Sequence, residues 1–147
     1  MGVFIGVLLA VLAGPPIQLT FTTSANVTDV RAGQTVKLFV DITPKPKMHV
    51  YAPGAKDYLP IALQLTSQGV KAGKLAYPPS QDWYFEPTKE HVPVYSSPFR
   101  LTQEVTVAPA AKPGTLIVTG VLKYQACDET ICYNPVTEPI AWTITVK

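Results

Sequence analysis

The chain carries two cysteines, both within the run Tyr124-Gln125-Ala126-Cys127-Asp128-Glu129-Thr130-Ile131-Cys132-Tyr133-Asn134-Pro135. A pair this close can close an intramolecular disulfide but makes a poor structural staple. Chain entropy gives roughly 2 kcal/mol for so small a ring, less than half of the value for a bridge spanning about 100 residues. If the flanking residues pair as antiparallel strands, the cysteines stand opposite one another with Cα atoms about 4.5 to 5.5 Å apart, so the bond forms and opens with little backbone movement. The chemistry on offer is thiol–disulfide exchange, in which a thiolate attacks a disulfide sulfur and a second cysteine resolves the mixed intermediate.

Asp128 and Glu129 lie between the sulfurs and oppose a thiolate by like-charge repulsion. Lys123, His49 or His91 could offset this only if folding brings them near. The expectation is a dithiol that is sluggish toward small molecules and reactive when a docked partner completes its surroundings. Two rival readings use the same residues. In one, the disulfide is a hairpin clip in an immunoglobulin-like binding or structural domain. In the other, Cys127, Cys132, His49 and His91 hold zinc, but the histidines are far apart and both precede the cysteines, unlike compact zinc modules. No metal or cofactor is expected. No Gly-x-Ser-x-Gly elbow and no phosphate-cradling glycine loop occurs. Charged residues make up 15% of the chain and the net charge is +2, which leaves no electrostatic footprint for nucleic acid.

The elements that must position the cysteines read as strands. Val36, Leu38, Val40 and Ile42 fall on one face with Lys37 and Asp41 on the other, and Phe99, Leu101, Val105 and Val107 alternate with Arg100, Thr102, Glu104 and Thr106. Ile140, Trp142, Ile144 and Val146 oppose Thr143, Thr145 and Lys147, and Leu116, Val118, Leu122 and Tyr124 make a further stripe. Weaker candidates span 17–23, 48–51, 61–66 and 70–77. The 15 prolines exclude long helices, and 47% hydrophobic content suffices for one core. These runs predict an all-β, immunoglobulin-like antiparallel sandwich of one domain, residues 17–147. The run 77–87 does not alternate cleanly and reads as a proline-flanked loop, with Trp83, Tyr84 and Phe85 either plugging the end of the sandwich or forming a lid over the dithiol.

Residues 1–16 are apolar and end in Gly14-Pro15-Pro16. They are too short for a spanning helix of about 20 residues and read as a signal peptide or apolar leader, with a membrane tether as the alternative. Such a leader agrees with redox cysteines on an oxidising, exported location, the bacterial cell envelope.

Tyr124-Gln125-Ala126-Cys127 followed by Cys132-Tyr133 and Pro135 resembles the signature of the N-terminal periplasmic domain of the disulfide reductase DsbD. Met48-His49-Val50-Tyr51-Ala52-Pro53, Tyr77-Pro78-Pro79 and Pro93-Val94-Tyr95 leading to Phe99 follow in the family's order, so the likeness covers about residues 20–147. The resemblance implies an immunoglobulin-like fold that relays reducing equivalents between thioredoxin-fold oxidoreductases, a protein-disulfide reductase activity. It implies that Cys132 forms the mixed disulfide with partners and that Cys127 resolves it. It maps a shielding cap onto the Trp83 to Glu86 segment and aromatics beneath the pair onto His49 and Tyr51, where histidine departs from the pattern. Tyr124, Asp128, Glu129 and Tyr133 complete the expected surroundings. The full reductase also has a membrane-spanning domain and a thioredoxin-like domain. Neither is present in these residues, so a separate membrane protein is expected to donate the electrons.

Overall fold

The four clearest alternating runs each become a long strand, because a period-two pattern has one apolar face to bury. The computed structural model describes residues 17–147, and the leader expected at 1–16 lies outside them. The strands are β1 (Leu19–Ala25), β2 (Asp29–Val30), β3 (Thr35–Pro44), β4 (His49–Tyr51), β5 (Ala62–Leu65), β6 (Val70–Ala76), β7 (Gln81–Phe85), β8 (Glu90–Tyr95), β9 (Phe99–Val107), β10 (Gly114–Tyr124), β11 (Ala126–Cys127) and β12 (Val136–Val146). The described residues contain no helix.

Two sheets, ordered β1-β3-β9-β6 and β2-β12-β10-β5, form the sandwich. Val36, Leu38, Val40 and Ile42 from β3 and Leu101, Val105 and Val107 from β9 share one core with Val118 and Leu122 from β10 and Ile140, Trp142 and Ile144 from β12. The Trp142 indole N–H crosses between the sheets to donate to the Phe39 carbonyl at 2.9 Å, which satisfies the polar atom of a buried ring. Gln103 is the polar exception on the inner face of β9. Its amide donates to the Gly73 carbonyl at 3.1 Å and the Glu104 carbonyl at 2.8 Å, where β6 slips register between Ala72 and Leu75. The pairing is antiparallel except where the last residues of β12 meet β2 in parallel. The architecture is the expected all-β, immunoglobulin-like sandwich.

A third sheet, ordered β11-β4-β8-β7, was not foreseen. The chain leaves β10 after Tyr124 and joins β4 two residues later, at Ala126, so one continuous run serves two sheets. The segment expected to be a loop is the strand β7, paired along its length with β8. Three adjacent aromatics suit this edge strand because each face takes large side chains: Trp83 and Phe85 project one way and Tyr84 the other.

Gly120 sits on β10 opposite Leu65, and a Cβ there would lie 2.7 Å from the Gln64 carbonyl oxygen. Gly120→Ala should push β5 away from β10 and destabilise the fold by about 1–3 kcal/mol, read as a lower urea midpoint.

Candidate functional site

Cys127 ends β11 and faces Cys132 across a tight hairpin. The Asp128 N–H donates to the Ile131 carbonyl and the Tyr133 N–H to the Ala126 carbonyl, both at 2.9 Å. The cysteines therefore occupy the non-hydrogen-bonded position between those two links, the closer of the two antiparallel arrangements. Their Cα atoms are 4.0 Å apart and the sulfurs are joined as a disulfide. This is tighter than the spacing expected for an open ladder.

Asp128 accounts for the tightness. Its Oδ1 accepts the Thr130 N–H at 2.7 Å, the Ile131 N–H at 2.8 Å and the Thr130 hydroxyl at 2.9 Å, while Oδ2 accepts the Tyr133 hydroxyl at 2.8 Å. The backbone donors of Ile131 and Thr130, then the Tyr133 hydroxyl, hold its carboxyl well below the usual carboxylate range. The negative charge expected to repel a thiolate is thus engaged by the turn's own donors. Glu129 is exposed at the tip.

Cross-strand register decides what surrounds the sulfurs, because residues directly opposite project from the same face. Cys127 stands opposite His49, Tyr51 opposite Val94, and Val92 opposite Trp83, with His49 and Tyr51 on one side of β4. Val50 and Ala126 on the other side join the main core, whereas Tyr51, Val92, Val94 and Cys127 form a second cluster with Tyr58 and Trp83. The Tyr51 hydroxyl lies 2.9 Å from the Cys127 sulfur and 3.4 Å from that of Cys132. Burial, and then the neighbouring Tyr58, push the Tyr51 pKa up to about 12, so this hydroxyl keeps its proton throughout the physiological range. Tyr58 stacks on Tyr51 with centroids 4.2 Å apart, and Trp83 lies against the His49 ring at 4.7 Å. His49 is buried, which lowers its pKa, an effect partly offset by the Asp128 charge.

A mainly apolar cavity of about 120 Å³ opens onto the disulfide between Trp83, Phe85 and Val92 on one side and Tyr58 and the turn on the other. The two sulfurs meet it unequally. Cys127 is 2% exposed, whereas Cys132 is open to solvent beside the exposed Ile131.

Other expected neighbours fall elsewhere. Tyr84 faces away from the sulfurs and packs on His91, because strand alternation separates it from Trp83 and Phe85. His91 pairs with Asp82 on that outer face, so the four residues weighed for zinc are not brought together. Lys123 reaches Gln64 on β5. Tyr124 is buried in the main core with its hydroxyl donating to Glu138 at 3.2 Å. Two contributors were not among the expected surroundings. Tyr58 was inconspicuous in a Pro-Gly loop. Gln125 accepts the Leu59 N–H at 3.2 Å and donates to the Tyr133 carbonyl at 3.4 Å, tying the hairpin to that loop. A polar residue interrupting the apolar approach to Cys127 was the available signal for it.

Residues 18–143 match the family model for the N-terminal part of thiol:disulfide interchange protein DsbD. The crystal structure of the N-terminal periplasmic domain of ScsB from Proteus mirabilis superposes with a TM-score of 0.61 at 13% identity, covering 90% of this chain and 49% of that one. The chain thus spans about half the length of that relative. The reduced N-terminal domain of DsbD from Neisseria meningitidis superposes with a TM-score of 0.52 at 17% identity, covering 85% of this chain and 88% of that one. No curated protein sequence matches significantly.

Asp128→Ala should loosen the turn and remove a negative charge beside the sulfurs, and both changes favour the reduced form. Equilibration with glutathione redox buffers should show the disulfide several-fold easier to reduce. An unchanged equilibrium would mean that the backbone alone holds the hairpin.

Proposed function

The chain belongs to the family of DsbD N-terminal domains, and from that membership we propose that residues 17–147 form an exchange domain. It relays electrons between thioredoxin-fold oxidoreductases through Cys127 and Cys132, as a protein-disulfide reductase. It works outside the cytoplasm, with residues 1–16 as the export leader or tether, and receives its electrons from a membrane electron donor.

The observation that carries this reading is the unequal exposure of the two sulfurs. A docked thiolate reaches the Cys132 sulfur, forms a mixed disulfide there and breaks the Cys127–Cys132 bond. Cys127 departs with the electron pair into a closed apolar setting, where an unstabilised anion is costly. The Tyr51 hydroxyl, 2.9 Å away, donates to it as the charge develops. Relay of the electrons onward reverses the order: Cys132 attacks the acceptor disulfide, and Cys127 then attacks Cys132 to release the reduced acceptor. Trp83 and Phe85 line the cavity over Cys127 and Tyr58 buttresses Tyr51, so small oxidants find Cys127 shielded while a partner loop reaches Cys132. The exposed Ile131 adds apolar contact beside Cys132.

A Cys127→Ser chain mixed with cell-envelope extract should accumulate mixed disulfides between Cys132 and thioredoxin-like proteins, identified by mass spectrometry. Finding none, together with a disulfide that resists glutathione, would favour the hairpin clip. Tyr51→Phe should slow reduction of the disulfide by dithiothreitol about tenfold, the equivalent of one hydrogen bond to a charged group. An unchanged rate would remove Tyr51 from the chemistry.

A further inference from the structure

The relay moves protons as well as electrons, and Cys127 must lose one before it can attack. Solvent has little access to that sulfur, because Cys127 is 2% exposed and the cavity above it is mainly apolar. The Tyr51 hydroxyl holds its own proton too firmly to accept another's. Asp128 is saturated by the turn's donors. The remaining basic group on the cavity wall is His49.

We propose that His49 is the proton carrier for the Cys127 sulfur, taking the thiol proton when the reduced site resolves a mixed disulfide and relaying one to the sulfur when the site is next reduced. This rests on the exchange reading above. Three placements support it. His49 is the direct cross-strand partner of Cys127, on the same face of the third sheet. Its ring is held between the Trp83 face, with centroids 4.7 Å apart, and the Tyr51 edge, at 5.7 Å. It also lines the cavity that contains both sulfurs. The titratable or charged groups sharing that wall are Tyr51, Tyr58, Asp128 and the two cysteines. A histidine held in a largely buried aromatic setting is a costly choice for packing alone, since burial penalises its charged form.

The resolving step balances as follows. With a partner joined to Cys132 by a mixed disulfide, the neutral imidazole accepts the proton of the Cys127 thiol. The resulting thiolate attacks the Cys132 sulfur and forms the intramolecular disulfide, and the partner leaves as a thiolate carrying the electron pair. Reduction runs in the opposite sense: an incoming thiolate attacks Cys132, Cys127 leaves as a thiolate, and the imidazole passes it a proton drawn from solvent. Desolvation favours the neutral imidazole, with Asp128 opposing it weakly. The accepting form is therefore the one present above the group's lowered pKa, and resolution should gain rate as pH rises through that value, then level off near neutrality.

The test uses the full chain, reduced and then treated with dithiobis-nitrobenzoate. Attack by Cys132 releases one coloured thiolate, and resolution by Cys127 releases a second. In the wild type, the rate of the second release should show an inflection below the usual histidine value of about 6.5. In His49→Gln and His49→Tyr, that inflection should vanish and the rate should climb instead through the ordinary thiol range near about 8.5. At neutral pH the ratio of second to first release should fall by about tenfold or more. A general loss of structure would also expose Cys127 to solvent, so unchanged far-ultraviolet circular dichroism is required of each variant, and two variants of different size guard against one failing to fold. A wild-type second release that follows thiol ionisation alone, or variants that keep the wild-type profile, would overturn the role of His49 while leaving exchange intact. A mixed disulfide that forms in the wild type and never resolves would overturn exchange, and the proton role with it.

Discussion

The hairpin between Cys127 and Cys132 keeps two sulfurs in bonding range because the Asp128 carboxylate takes up backbone donors that a four-residue connection leaves without partners. Tight hairpins usually turn through residues with positive φ, most often glycine or asparagine. The tetrapeptide Asp128-Glu129-Thr130-Ile131 has no glycine, and none of its residues is among those with positive φ. The side chain stands in for the missing backbone bond, as aspartate does in many turns. An anion that looked unfavourable beside a thiolate is thus what holds the site's geometry.

A second constraint follows from the passage of the chain between sheets at Gln125. Joining β4 places Cys127 over a second apolar cluster, beneath Tyr51 and opposite His49, and leaves Cys132 outside. The sandwich core and the sulfur site share this sheet, Val50 and Ala126 facing one and His49, Tyr51 and Cys127 the other. Packing of the core therefore fixes the position of the site wall. A substitution at Val50 acts on the sulfurs by moving the strand that carries Tyr51.

Period-two alternation over long runs was enough to identify β3, β9, β10 and β12, and with them the sandwich, because burial of one face is a local property of the pattern. The short strands β2 and β11 have no such pattern and exist by pairing with residues distant in sequence. The segment around Trp83 was misjudged for a related reason. Three consecutive aromatics look incompatible with a strand until one face covers a cavity, with Trp83 and Phe85, and the other leaves Tyr84 exposed against His91.

The cysteine spacing, its flanking motif and the likeness to the DsbD domain could be read from the chain alone, since they depend on residues adjacent in order. Which sulfur is buried, that Tyr51 lies against both, that Tyr58 and Gln125 belong nearby, and that His49 rather than His91 or Lys123 stands beside Cys127 were decided by tertiary structure. The places of Cys127, Tyr51 and His49 depend on the register between strands separated by tens of residues, and a shift of one residue would send those side chains to the opposite face.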